Sequence, residues 1–101
     1  MSIAFFTAAK PGPWKTHVGL MGVEYQARDR DLAPDAWARL VAKAAEDYGV
    51  ASSDIILIWS HEFETPTGDG SIGEIELRYN ARGHQAIIGL YEDGHLETWA
   101  D

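Results

Sequence analysis

Residues 32–65 read LAPDAWARLVAKAAEDYGVASSDIILIWSHEFET, and their hydrophobic period changes halfway along. In the first half, apolar residues recur at i, i+3 and i+4, which predicts one amphipathic helix within Leu32–Tyr48. The apolar stripe consists of Trp37, Leu40, Val41, Ala44 and Tyr48. Pro34 suits the first helical turn, and Gly49 suits the position after the last one. In the second half, Asp54–Thr65 is first continuously apolar and then alternating, which predicts a strand.

Five further segments outward from this stretch have strand patterns. They are Ile3–Ala8, His17–Arg28, Gly73–Asn80, Gln85–Tyr91 and His95–Trp99. Val18 and Leu20 break the alternation of the second segment, which predicts a bulge or close approach at Gly19 or Gly22. The element order ββαββββ predicts a single α+β domain over residues 1–101. We expect one antiparallel or mixed sheet of five to six strands with one helix packed on one face. A β-grasp-like arrangement is one topology that fits this order.

Composition and charge limit the classes of function. The chain has 101 residues, no cysteine and a net charge of −8. Residues 1–53 are neutral, whereas residues 54–101 hold ten acids against two bases. This excess disfavours direct nucleic-acid binding and permits a basic partner. Without cysteine there is no disulfide or thiolate chemistry. No stretch is long enough for a membrane span, and the N-terminal apolar run lacks the basic start of a signal peptide, so a cytoplasmic protein is expected.

Two motif-like features are better explained without chemistry. Residues 68–73 read GDGSIG, but a strand rather than a helix follows them, so a flexible hairpin loop is the favoured interpretation. The four histidines, His17, His61, His84 and His95, have no metal-ligand spacing. His61 and Glu62, as neighbours on a strand, point to opposite faces. The sequence therefore predicts no catalytic site, no metal and no cofactor.

Four glutamates on two neighbouring strands are the most informative feature. Aligning the apolar faces of the strands would place Glu64 opposite Glu74 and Glu62 opposite Glu76, with Asp69 at the loop between them. Like charges directly opposite each other destabilise a strand pair, so the stability of the fold does not explain this arrangement. The predicted face would suit a basic partner surface. Protection of a sheet edge, binding of calcium or magnesium, and an ordinary solvated face are the alternatives.

Trp14, between Pro13 and Lys15 in a predicted turn, is a candidate binding anchor. The alternative, which we favour, is that its side chain folds back over the edge of the sheet.

The leading hypothesis is a small acidic, non-enzymatic binding protein that presents an acidic sheet face to a basic, nucleic-acid-handling protein. Inhibitors and decoys, such as phage anti-restriction and anti-CRISPR proteins or nuclease-immunity proteins, belong to this class. The predicted partner-binding residues are Glu62, Glu64, Asp69, Glu74, Glu76 and Trp14. One alternative is an accessory or homo-oligomeric structural module. A second is an enzyme or small-ligand binder, which would need a pocket converging on Tyr25, His61 or His84.

Overall fold

A computed structural model describes residues 5–80 and 82–100 of the chain. One helix and six strands make up the fold. They are β1 (Lys15–Val18), β2 (Glu24–Asp29), α1 (Pro34–Tyr48), β3 (Ile56–Phe63), β4 (Ser71–Arg78), β5 (Gln85–Tyr91) and β6 (Leu96–Ala100). The predicted α+β class and the order ββαββββ are confirmed.

The six strands lie side by side in the order in which they follow along the chain. Every neighbouring pair is antiparallel, so the sheet is a meander and lacks the mixed pairing of a β-grasp-like arrangement. The strands β1 and β6 form its two edges. Helix α1 connects the adjacent strands β2 and β3 and covers one side of the sheet. In the part of the chain that the structure describes, no helix is long and apolar enough to cross a membrane.

Helix α1 begins and ends at the residues that the sequence indicates. Pro34 occupies the first turn, and Gly49 follows the last turn with a φ of 65°, a conformation that glycine adopts without a steric penalty. The buried side chains of α1 are Ala36, Leu40 and Ala44. They pack with the aliphatic side chains of one sheet face, which are Ile75, Leu77, Ala86, Ile88 and Leu90. This side of the sheet, together with α1, contains the hydrophobic core, and we call it the helix-covered face.

The N-terminal third differs from the prediction in two places. The predicted strand at 3–8 lies partly outside the described residues, and within them Phe6 forms only an isolated bridge with Leu32. The predicted single strand His17–Arg28 is the hairpin of β1 and β2. The expected bulge is instead a turn, in which Met21 and Gly22 have φ values of 62° and 75°. Five residues, 19–23, connect the paired residues Val18 and Glu24, and the Gly19 N–H donates a hydrogen bond to the Val23 carbonyl at the base of this loop.

Candidate functional site: the open face of the sheet

The register between β3 and β4 decides which side chains lie on the face without the helix, which we call the open face. A bulge at Ile58 separates the pair Leu57–Leu77 from the pair Trp59–Glu76. Because the bulge inserts one residue, Leu57 lies on the helix-covered face, whereas Trp59, His61 and Phe63 point to the open face. The aromatic row of β3 therefore lies beside Glu74 and Glu76 of β4.

The predicted register was accordingly wrong. Glu62 pairs with Gly73, and Glu74 pairs with His61, so no glutamate is directly opposite another in this hairpin. The apolar run Ile55–Trp59 is not covered on both sides of the sheet. Within that run, Ile56 remains 54% exposed and Ile58 remains 38% exposed.

Glu74 lies at the centre of the open face. Its side chain is only 11% exposed, and the Tyr25 hydroxyl donates a hydrogen bond to its Oε1 at 3.0 Å. The Nδ1 atom of His61 is 3.9 Å from the same oxygen and has no hydrogen-bond partner. Burial of the phenol, reinforced by the negative charge of Glu74 and by its hydrogen bond, raises the pKa of Tyr25 to about 12. Tyr25 therefore remains a hydrogen-bond donor at any physiological pH.

Aromatic rings surround this carboxylate. The rings of Phe63 and Trp99 are parallel to within 5°, with their centroids 6.4 Å apart. Tyr25 meets Phe63 edge to face at 5.6 Å, and Trp59 stacks on His61 at 4.3 Å. Ring faces carry partial negative charge, and a cation placed over them is attracted.

Trp99 is held in place by its neighbours. Its indole lies on Gly89, where a Cβ atom would come within 2.3 Å of the ring. The indole nitrogen donates a hydrogen bond to the Tyr91 hydroxyl at 2.9 Å, and that hydroxyl donates in turn to Asp69 at 3.2 Å. The hydrogen bond from the Thr67 hydroxyl is the main reason why the pKa of Asp69 is lowered. The predicted binding residue Asp69 thus supports Trp99 from the β3–β4 loop.

A groove of about 990 Å³ runs over the open face. The β1–β2 hairpin forms one wall, and the residues after β3 form part of another. Side chains that line it include Tyr25, Trp59, Phe63, Ile87 and Trp99, together with Glu24, Glu64 and Glu74. Three carboxylates and no lysine or arginine line this groove within residues 5–80 and 82–100. Its volume is at the upper end of the range of ligand pockets, which are typically about 300–1,000 Å³.

Two residues of the predicted binding set lie on the other side of the sheet. Glu62 pairs with Arg28 at 2.6 Å and with Arg30 at 2.8 Å, so its charge is balanced within the chain. The ring of Trp14 lies 4.2 Å from the guanidinium carbon of Arg28 and remains 40% exposed. Trp14 thus packs on a β2 side chain rather than in the groove.

The set therefore divides in two. The structure brings Glu64, Glu74 and Glu76 to the open face, with Asp69 behind Trp99, and separates Glu62 and Trp14 from them. The sequence analysis did name Tyr25 and His61 for a pocket but missed Trp59, Phe63 and Trp99. The alternation of aromatic side chains at 59, 61 and 63 indicates that they share one face of the strand, but it does not indicate that this face is uncovered.

Among the described residues, no group of three or more histidine, aspartate and glutamate side chains is arranged to hold a metal ion. Comparisons with protein-family models, with curated proteins and with solved structures gave no match.

Proposed function

We propose that this chain is a non-enzymatic binding protein that takes a basic segment of a partner protein into the groove on its open face. The observation that carries the proposal is the composition of the groove, in which carboxylates and aromatic rings occur together without a basic side chain among the described residues. Such a surface complements a positively charged partner in both charge and ring contacts.

The placement of the basic side chains supports this proposal. Arg28 and Arg30 lie on the helix-covered face, and both pair with Glu62. On α1, Lys43 pairs with Asp47 at 2.9 Å. The carboxylates of the groove have no such partners among the ion pairs of the described residues, so their field extends outward and would steer a basic protein toward this face.

The proposed partner is a basic protein that handles nucleic acid, and the proposed role is that of an inhibitor or decoy acting in the cytoplasm. A decoy of this kind would occupy a surface that otherwise binds phosphates. We do not propose nucleic acid itself as the ligand, since the groove would repel its phosphates. The site residues of the proposal are Glu64, Glu74 and Glu76, with Asp69 in a positioning role.

The test is affinity capture from the native host, followed by mass spectrometry. Three baits are compared: the wild-type chain, the groove variant Glu64→Gln/Glu74→Gln, and the control Asp35→Asn/Glu46→Gln. The control removes the same charge from exposed positions on α1. We expect a basic protein that binds the wild-type chain and the control and is lost from the groove variant. Affinity for that purified protein should fall as salt rises.

Two outcomes would contradict the proposal. One is a captured protein that the groove variant retains with unchanged affinity. The other is recovery of the chain alone, which would favour the homo-oligomeric module instead.

A small-molecule binder is the second candidate, and one observation favours it. The groove does converge on Tyr25, as that hypothesis requires, and His61 lies next to Glu74. The same groove could then hold a small organic cation. Loss of affinity for such a compound in the groove variant, with no protein captured by the wild-type chain, would establish this candidate in place of the first.

A further inference from the structure

Glu74 is buried without a cationic partner, in contrast to Glu62. The Tyr25 hydroxyl donates to one oxygen of Glu74, and the nearest basic atom among its ion-pair partners is the His61 Nδ1 at 3.9 Å. The other ring nitrogen of His61 is 3.2 Å from Asp29. No lysine or arginine pairs with Glu74 in the described part of the chain. Glu62, at 24% exposure, has two guanidinium groups within 2.8 Å.

An unpaired carboxylate is expensive to bury, because the low-dielectric surroundings replace water without returning its hydrogen bonds. The fold supplies a phenolic donor, and no lysine or arginine pairs with this carboxylate among the described residues. A cation that enters the groove would provide the missing partner. Its binding would be favoured because the fold has already removed most of the water around Glu74, so this cost does not arise again on binding.

The surroundings of Glu74 select among cations. A quaternary ammonium has no N–H to donate and would leave the carboxylate without a hydrogen bond. An alkylammonium donates from a compact point charge and makes little use of flat ring faces. A guanidinium is planar, donates paired N–H groups to a carboxylate and stacks on aromatic rings. The parallel rings of Phe63 and Trp99 beside Glu74 offer such faces.

We infer that the groove receives an arginine side chain of the partner protein, whose guanidinium donates to Glu74 and stacks on the flanking aromatic rings. This inference rests on the proposed function and names the chemical group that the groove recognises. The exposed carboxylates Glu24 and Glu64 at the rim would then meet further basic residues of the same segment.

The experiment is an NMR titration of the folded chain with N-acetyl-arginine methylamide, in which the indole N–H signals of the tryptophans are followed. The lysine analogue and tetramethylammonium are titrated in parallel. We expect saturable shifts of the Trp59 and Trp99 signals with the arginine compound and weaker binding of the other two. The isosteric Glu74→Gln variant should lose affinity roughly tenfold or more, because the guanidinium would no longer donate its hydrogen bonds to a charged carboxylate. The control Glu46→Gln on α1 should bind like the wild-type chain.

Three results would overturn the inference: no saturable shift at the groove, equal binding of all three cations, or unchanged affinity in Glu74→Gln with an intact spectrum. The outcome separates from that of the proposed function. If a basic protein is captured through the groove while the arginine compound fails to bind, the arginine inference fails and the proposed function stands. If the arginine compound binds but no protein is lost from the groove variant, the guanidinium does not belong to a partner protein, and the groove recognises a small guanidinium compound.

Discussion

The two faces of this sheet differ in whether their partly buried carboxylates have arginine partners. On the helix-covered face, aliphatic side chains such as Leu77 and Ile88 are fully buried, and Glu62 is neutralised by two arginines. On the open face, aromatic rings replace the aliphatic side chains, and Glu74 is nearly buried beside a phenol and an imidazole. The fold accounts for the first arrangement. It does not account for the second, and this difference is the reason to propose a binding site on the open face.

The largest effect is expected where the helix-covered face is densest. Leu40 of α1 is fully buried. Replacing it with Asp places an unpaired charge in the core, so the free energy of unfolding should fall by several kcal/mol, on the order of 4 kcal/mol or more. Urea denaturation measures the change. The control Ala38→Asp, at an exposed helix position, should cost about 1 kcal/mol or less. Equal losses in the two variants would show that Leu40 is not a core residue.

The helix-covered face could be predicted because its patterns are unambiguous. The stripe through Leu40 and Ala44 has a strict helical period, and Ile75 alternates with Glu74 and Glu76 along β4. Each pattern allows one choice of inward face. Gly49 and Pro34 mark the helix ends by their backbone chemistry alone.

The open face could not be predicted in the same way. The run Ile55–Trp59 has no alternation, so a bulge at Ile58 leaves no trace in the sequence. That single inserted residue turns Trp59, His61 and Phe63 away from the helix. A rule that places aromatic side chains in the core then chooses the wrong face, and every cross-strand partner changes with it. The pairing of Glu62 with arginines from β2 is equally invisible, because it depends on which strand lies next to β3.

An intermediate effect should distinguish the packed parts of the open face from its free surface. Gly89→Ala would place a methyl group within 2.3 Å of the Trp99 ring and force the indole to move. The expected loss of stability is about 1–3 kcal/mol, typical of overpacking, accompanied by a red shift of tryptophan fluorescence. The matched control is Gly68→Ala, since a Cβ there meets no atom within 4 Å. If Gly89→Ala melts and fluoresces like the control, Trp99 does not rest on β5.

A smaller effect tests the contrast between the two glutamates directly. Glu62→Gln removes the charge that two arginines share, and it should lower the free energy of unfolding by about 1 kcal/mol, because the pairs are partly exposed to solvent. Glu74→Gln is equally isosteric, and the new amide oxygen can still accept a hydrogen bond from Tyr25. It removes an unpaired charge, so stability should stay the same or rise. Thermal melts of the two variants measure the difference. Equal destabilisation by both substitutions would mean that Glu74 is also neutralised within the fold.

The last effect is absent at neutral pH and concerns the tyrosines of the open face. Burial raises the pKa of Tyr91, like that of Tyr25, to about 12, whereas an unfolded tyrosine titrates near 10. Between these two values the unfolded chain loses protons that the folded chain keeps. The stability is therefore fully present below about pH 10 and declines as the pH rises toward 12. Tyrosinate absorbance should contain late components from Tyr25 and Tyr91, and Tyr25→Phe should remove the first of these. Since burial is the largest cause of the Tyr25 shift and Glu74 is a lesser one, Glu74→Gln should lower the pKa of Tyr25 only part of the way. A return of Tyr25 to its ordinary value in that variant would show that the carboxylate, rather than burial in the groove, controls this phenol.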